Sequence, residues 1–139
     1  MENALPEVRN RVFIVEDSGP IRERLVALLG DIEGVSVVGE ADSVVAGVEG
    51  ILRMRPESVV LDIQLVDGSG VEVLRQTRPK APEVVFVVLT NHANAQYRRT
   101  CLEAGATHFF DKNTEIAKVM EVIAALGVAP PAPGKDQNP

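Results

Sequence analysis

The hydrophobic residues of this chain fall into two alternating patterns. Residues 12–15 form an unbroken apolar run of β-favouring side chains, which predicts a strand buried on both faces. Ile21, Leu25, Leu28 and Leu29 follow at spacings of i, i+4, i+7 and i+8. That spacing places the four side chains on one face of a helix. This part of the chain therefore predicts a strand followed by an amphipathic helix.

The same alternation continues along the rest of the chain. Four further short segments predict strands, at residues 35–39, 58–61, 84–89 and 107–110. Each is followed by a segment of helical periodicity, and the fourth helix is predicted at about 93–104 with Tyr97 and Cys101 on its packing face. Five strands alternating with five helices predict an α/β protein whose parallel sheet is covered by helices on both faces.

The 139 residues suffice for one ordinary domain. We predict a folded domain over residues 11–126, preceded by an N-terminal lead at residues 1–10. Residues 127–139 contain closely spaced prolines and no apolar periodicity, which is typical of a disordered tail. No transmembrane run or secretory signal is evident, and the single cysteine fits a reducing compartment, so we expect a cytoplasmic protein without membrane contact.

The charge of the chain bears on its partners. Fourteen Lys and Arg residues stand against twenty Asp and Glu residues, which gives a formal net charge of −6. Binding to nucleic acid depends on neutralising phosphates with basic side chains. The acidic balance, without a basic stripe, predicts that this chain does not itself bind nucleic acid.

Polar side chains follow four of the five predicted strands. Glu16 and Asp17 come after the first strand, Asp62 after the third, Thr90 after the fourth and Lys112 after the fifth. Ligands of open parallel sheets bind beyond the carboxyl ends of the strands. If the first strand is central, with the third, fourth and fifth beside it in order, these side chains become neighbours.

Such a cluster has a definite chemistry. Carboxylates without a nearby cation repel one another, and Mg²⁺ prefers oxygen ligands from one or two carboxylates together with a phosphate. We therefore predict Asp17 and Asp62 as Mg²⁺ ligands, with Glu16 acting through water. A carboxylate can attack phosphorus and form an aspartyl phosphate. Lys112 would then hold one phosphoryl oxygen, and the hydroxyl of Thr90 would donate to another.

Several short motifs occur in a familiar order: Glu16-Asp17, the apolar run with Asp62, the Asp-Gly-Ser-Gly loop at 67–70, Val-Leu-Thr ending at Thr90, Glu-Ala-Gly-Ala at 103–106 and Phe-Phe-Asp-Lys at 109–112. Over residues 10–126, the chain resembles the receiver domains of bacterial response regulators, in particular the stand-alone receivers of the chemotaxis-regulator type. The spacings between these motifs are similar as well. One departure is Glu16, which stands where an aspartate is more usual.

The resemblance implies a flavodoxin-like (βα)5 fold with the strand order 2-1-3-4-5. It implies that Asp62 is the phosphoacceptor and that the backbone carbonyl of Gln64 joins Asp17 and Asp62 as a Mg²⁺ ligand. Thr90 and Phe109 would be the switch residues. Gln64 and His92 occupy positions that influence how long the phosphoryl group survives. The first helix, with Arg22 and Arg24 on its outer face, would receive a kinase.

The implied function is that of a single-domain response regulator. A histidine kinase or phosphotransfer protein would load the phosphoryl group, and the chain would be an acceptor rather than a turnover enzyme. The surface of the fourth helix, fifth strand and fifth helix would then change its affinity for an unknown downstream protein. The chain would be a monomer or a phosphorylation-dependent dimer. Two alternatives stay open: a phosphorylation-independent adaptor, and the receiver fragment of a DNA-binding transcription regulator.

Overall fold

The computed structural model describes residues 8–126. The predicted tail at 127–139 and most of the predicted N-terminal lead lie outside these residues. Within them the strands are β1 (Asn10–Val15), β2 (Val35–Ala41), β3 (Ser58–Leu61), β4 (Gln64–Leu65), β5 (Gly68–Ser69), β6 (Val85–Thr90) and β7 (His108–Asp111). The helices are α1 (Gly19–Gly30), α2 (Val44–Met54), α3 (Gly70–Thr77), α4 (Ala95–Glu103) and α5 (Ile116–Leu126).

Five strands form one parallel sheet in the order β2-β1-β3-β6-β7. The two short strands β4 and β5 pair with each other in a separate antiparallel hairpin between β3 and α3. Numbered among themselves, the strands of the main sheet therefore have the predicted order 2-1-3-4-5. The flavodoxin-like (βα)5 fold is confirmed, and the hairpin is the one addition to it among the described residues.

Polar caps determine where the helices begin. The side chains of Ser18, Ser43, Ser69 and Asn94 each accept a hydrogen bond from a backbone N–H in the first turn of α1, α2, α3 and α4 respectively. Such caps satisfy N–H groups that have no partner inside the helix. Because Asn94 is the cap of α4, this helix begins two residues later than the periodicity predicted.

The unbroken apolar run of β1 reflects burial on both faces of the sheet. Phe13 and Val15 pack into a core shared with α2, α3 and α4, while Val12 and Ile14 pack into a second core shared with α1 and α5. All four side chains are almost fully buried. A strand between two helical layers has no polar face, so its sequence shows no alternation.

The ring of Phe13 occupies a notch between the sheet and α2. A Cβ atom added to Gly39 on β2 or to Gly50 on α2 would collide with this ring. The two glycines therefore give the aromatic side chain its space, and they let α2 approach the sheet closely.

Helix α4 departs from the expected packing. Cys101 is fully buried, and burial raises the pKa of its thiol to about 11, as expected for a hydrophobic packing position. Tyr97, in contrast, is 38% exposed, so the prediction that it belongs to the packing face was wrong. The helix meets the core through its C-terminal half, and all of residues 91–99 are exposed.

No helix within residues 8–126 has the length and apolar composition needed to cross a membrane.

Candidate functional site

The structure brings the predicted site residues to one edge of the sheet. Glu16 and Asp17 follow β1 directly, Asp62 follows β3, Thr90 is the last residue of β6, and Lys112 follows β7. These four strands are adjacent and parallel, so their carboxyl ends lie side by side. The backbone joins the strand ends as well, through hydrogen bonds from the N–H of Asp62 to the carbonyl of Val15 at 2.9 Å and from that of Lys112 to the carbonyl of Thr90 at 2.8 Å.

Three carboxylates and one ammonium form the centre of the site. Glu16, Asp17 and Asp62 each offer an oxygen, and these oxygens all lie within 4.8 Å of one another. The Nζ atom of Lys112 lies 2.8 Å from Oε1 of Glu16 and 3.2 Å from Oδ2 of Asp62. Glu16, Asp62 and Lys112 are buried, whereas Asp17 is exposed. Two buried acids thus share one cation, and the third acid faces the solvent.

Burial and charge act against each other in this cluster. Burial raises the pKa of Glu16, although its hydrogen bonds with Lys112 and Ser18 lower it in part. Burial alone would lower the pKa of Lys112, but the hydrogen bond with Glu16 and the negative charges of Asp62 and Glu16 outweigh it and raise the pKa. Lys112 is therefore a charged ammonium. One ammonium does not balance the charge of three carboxylates. The cluster of these four side chains therefore keeps a net negative charge, which suits a hard divalent cation.

Backbone groups fix the acids from the other side. The N–H of Ser18 donates to Oε2 of Glu16 at 3.0 Å, and the N–H of Gln64 donates to Oδ1 of Asp62 at 3.4 Å. Gly70 lies directly against the backbone of Asp62, where an added Cβ would collide with the Asp62 carbonyl. The Gly-Ser-Gly loop in the sequence is the signal for this close approach, which allows the start of α3 to pack beneath the acid.

Arg22 also supports the site, although the sequence placed it elsewhere. Its Nη1 donates to the backbone carbonyl of Glu16 at 2.7 Å, and its Nε lies 3.2 Å from Oε1 of Glu40. The prediction of an outer-face position was therefore wrong for Arg22, because the Glu16 carbonyl and the Glu40 carboxylate draw its side chain toward the ends of β1 and β2. Arg24 is exposed on α1, as expected.

The loop between β6 and α4 borders the site. Thr90 is fully buried, and its Oγ1 accepts the N–H of His92 at 3.1 Å. His92 is exposed and lies edge-on to Tyr97, with 6.1 Å between the ring centroids. Tyr97 in turn lines a groove of about 410 Å³ together with Asp17 and Gln64. The predicted lifetime-tuning residues, Gln64 and His92, thus both lie at the open side of the site.

Phe109, the second residue of β7, is almost fully buried. The guanidinium of Arg98 lies over its ring, 6.0 Å from the centroid, and Nη1 of Arg98 donates to the Phe109 carbonyl at 3.3 Å. No signal in the sequence pointed to this contact, because helical periodicity does not report which acceptor an arginine side chain finds. The contact joins α4 to β7, the strand that contains Phe109 and ends directly before Lys112.

Comparisons with known proteins agree with this geometry. The family model for the response regulator receiver domain matches residues 12–124. The chain is 32% identical over 117 residues to the DNA-binding transcriptional activator DevR/DosR of Mycobacterium tuberculosis, and the match covers 84% of this chain and 54% of the activator. The chain spans about half the length of the first curated relatives that it matches.

Solved structures show the same likeness. A LuxR-family two-component response regulator from Aurantimonas sp. SI85-9A1 is 25% identical, with a TM-score of 0.79, over 85% of this chain and 84% of that one. The BeF3-activated N-terminal receiver domain of RstA from Klebsiella pneumoniae is 27% identical, with a TM-score of 0.76, over 86% of this chain and all of that one. The fold, the acidic edge of the sheet and these matches together establish that the chain belongs to the response regulator receiver domains of two-component systems.

Proposed function

We propose that this chain accepts a phosphoryl group on Asp62 in a Mg²⁺-dependent reaction and that the modification switches a surface used for partner binding. The observation that carries the proposal is the position of Lys112, whose Nζ lies 3.2 Å from Oδ2 of Asp62 in a group with Glu16 and Asp17. Asp62 thus has a cation beside it, and its neighbour Asp17 is exposed to the solvent.

The chemistry is a displacement at phosphorus. An oxygen of Asp62 forms the new P–O bond while the donor leaves, as imidazole from a phosphohistidine or as acetate from acetyl phosphate. Asp17, Asp62 and the backbone carbonyl of Gln64 would hold Mg²⁺, with Glu16 acting through water, and the ion would neutralise charge on the phosphoryl oxygens. Lys112 would bind one of these oxygens.

Thr90 would contribute a hydrogen bond and the switch. Its hydroxyl oxygen already accepts the N–H of His92, so the hydroxyl proton is free to be donated to a phosphoryl oxygen. Movement of Thr90 toward that oxygen would change the position of Phe109 and the shape of the surface formed by α4, β7 and α5. The RstA receiver, to which this chain is similar, has been solved in a BeF3-activated form.

The phosphodonor would be a histidine kinase or a phosphotransfer protein. A groove of about 340 Å³ lies between α1 and α5, where Arg24 and Ile21 face Asn113 and Ile116, and Lys112 also lines it. We propose that the donor docks here. Replacing the exposed Arg24 by glutamate should slow transfer from a donor protein while leaving the reaction with acetyl phosphate unchanged.

Two other functions compete with this one. A phosphorylation-independent adaptor would use the same surface without modification of Asp62. The resemblance to a DNA-binding activator favours the second alternative, in which this receiver controls a DNA-binding domain. In that second setting, as in a single-domain regulator, we propose that residues 8–126 take up the phosphoryl group and do not touch DNA themselves, because the chain is acidic overall. Action as a single-domain regulator stays a prediction.

Intact-mass measurement after incubation with acetyl phosphate and Mg²⁺ tests the proposal. The expected result is a gain of one phosphoryl group that is absent in Asp62→Asn and abolished by EDTA. Asp42→Asn is the matched control, because Asp42 also follows a strand of the sheet but is exposed beside β2 and is not part of the acidic group. A phosphorylated Asp62→Asn variant would contradict the assignment. Mg²⁺ binding without modification by acetyl phosphate or a donor protein would favour the adaptor.

A further inference from the structure

Both carboxylate oxygens of Glu16 contact protein groups. Its Oε1 lies 2.8 Å from Nζ of Lys112, and its Oε2 accepts the N–H of Ser18 at 3.0 Å. The ammonium of Lys112 is thus closer to Glu16 than to Asp62, from which it is separated by 3.2 Å. Only 2% of Glu16 is exposed. The contact between Glu16 and Lys112 is therefore the shortest charge–charge contact at the site.

The length of the Glu16 side chain makes this contact possible. The backbone of Glu16 is fixed, because its N–H donates to the carbonyl of Ala41 at 2.9 Å and its own carbonyl accepts from Arg22. The backbone of Lys112 is likewise tied to Thr90. An aspartate at position 16 would withdraw the carboxylate by about one C–C bond, roughly 1.5 Å. The bond to Lys112 would then be lost without any change in charge.

We propose that Glu16 is a positioning residue that holds Lys112 inside the carboxylate group, so that the ammonium competes with Mg²⁺ for the same negative charge. The proposal deepens the proposed function and rests on it, since it concerns the metal that the phosphoryl transfer would use. A cation already present among three acids reduces their attraction for a second one. The affinity of the site for Mg²⁺ would therefore depend on the length of residue 16 as well as on its charge.

The Glu16→Asp variant tests this directly, because it keeps the negative charge of residue 16 and shortens its side chain by one methylene group. Mg²⁺ affinity can be measured from backbone amide chemical shifts of the β1–α1 loop during a Mg²⁺ titration. We expect Glu16→Asp to bind Mg²⁺ roughly threefold to tenfold more tightly than the wild type, the range set by the net contribution of one hydrogen bond. Glu57→Asp is the matched control, since Glu57 is paired with Arg11 at the opposite end of β3, and its Mg²⁺ affinity should equal that of the wild type.

A double variant separates two routes to tighter binding. If Glu16 acts through Lys112, the gain from Glu16→Asp should disappear in a Lys112→Gln background. An equal gain in both backgrounds would mean that aspartate improves the metal's own surroundings, and it would overturn the proposal. Should Lys112→Gln fail to fold, the ¹⁵Nζ NMR signal of Lys112 in the metal-free protein provides a second measurement. The ammonium protons of Lys112 are expected to exchange slowly with solvent in the wild type and rapidly in Glu16→Asp.

The outcomes also distinguish this proposal from the function on which it rests. Unchanged or weaker Mg²⁺ binding by Glu16→Asp, in a protein whose wild type binds Mg²⁺ and is phosphorylated on Asp62, would overturn the role of Glu16 alone. A wild type that binds no Mg²⁺ would overturn both.

Discussion

The carboxylate of Asp67 accepts the backbone N–H of Val44 at 2.6 Å, which ties the hairpin after the candidate phosphoacceptor to the start of α2. The N–H of Val45 donates to the second oxygen at 3.3 Å. A carboxylate near the first N–H groups of a helix satisfies donors that lack a partner and interacts favourably with the helix dipole. Asp67 therefore acts on α2 from outside that helix, alongside the regular cap Ser43.

This contact predicts a pH-dependent contribution to stability. The hydrogen bond from Val44 holds the pKa of Asp67 below its ordinary value of 3.8. A lowered folded pKa means that the stabilisation is complete above the ordinary value and is lost as the pH falls through the folded pKa. The melting temperature of the wild type should exceed that of Asp67→Asn at pH 6, and the difference should begin to shrink as the pH falls below about 3.8 and vanish below the folded pKa. Thermal denaturation followed by circular dichroism measures it, and a gap that does not change with pH would contradict the assignment.

A second prediction concerns the end of the sheet opposite the site. Asn10 is fully buried, its amide donates to the carbonyl of Ile123 at 3.2 Å, and its oxygen accepts the hydroxyl of Ser58 at 2.9 Å. These hydrogen bonds join the first residue of β1 to α5 and to the first residue of β3. Asn10→Ala should lower the free energy of unfolding by about 1–3 kcal/mol, since it removes two buried hydrogen bonds.

Urea denaturation would measure this loss. The matched control is Asn113→Ala, which removes the same side chain at an exposed position and should stay within about 0.5 kcal/mol of the wild type. Equal stability of both variants would show that Asn10 contributes no more than a surface residue.

The notch around Phe13 gives a third prediction. Alanine favours a helix over glycine by about 1 kcal/mol, yet Gly50→Ala would drive a methyl group into the Phe13 ring. Overpacking of this kind costs about 1–3 kcal/mol, so we expect a net loss of stability. Gly30→Ala on α1 is the control, because an added methyl group there meets nothing within 4 Å and should leave stability unchanged or raised. A stabilised Gly50→Ala variant would mean that the ring moves aside freely.

The contact between Arg98 and Phe109 can be tested with its neighbour as control. Arg98→Met removes the charge over the ring and the hydrogen bond to the Phe109 carbonyl, whereas Arg99→Met changes an exposed side chain on the same helix. We expect Arg98→Met alone to lose about 0.5–1 kcal/mol and to shift the aromatic signals of Phe109. Urea denaturation and aromatic NMR spectra measure these two effects. If the Phe109 signals responded equally to both variants, Arg98 would have no special role.

A fifth prediction concerns the exposed acid of the site. Asp17→Asn should weaken Mg²⁺ binding by roughly tenfold or more, since even outer partners of a metal ligand contribute that much. Because Asp17 is exposed, its replacement should leave the melting temperature within a few degrees of the wild type. The Mg²⁺ titration described for Glu16 measures the first effect, with Asp42→Asn as the control. Undiminished affinity would remove Asp17 from the proposed ligands.

The sequence predicted the backbone of the site well and its side-chain contacts less well. Asp62 and Lys112 could be placed at one edge because strand ends in a parallel sheet depend only on the alternation of elements, which hydrophobic periodicity reports. The inward turn of Arg22 and the contact of Arg98 with Phe109 depend on which rotamer finds an acceptor, and periodicity carries no such information. Tyr97 was misplaced for a related reason, since helical spacing does not say how much of a helix lies over the core.

The ion pair between Asp62 and Lys112 joins residues 50 positions apart in the chain. Because β7 is the last of the five strands of this sheet in chain order, Asp62 does not have Lys112 as a partner until that strand has been added. A nascent chain on the ribosome, or a proteolytic fragment ending before β7, would carry the acid without the lysine. Such an incomplete domain would lack the ammonium that is proposed to bind a phosphoryl oxygen, and we expect it to be a poorer phosphoryl acceptor.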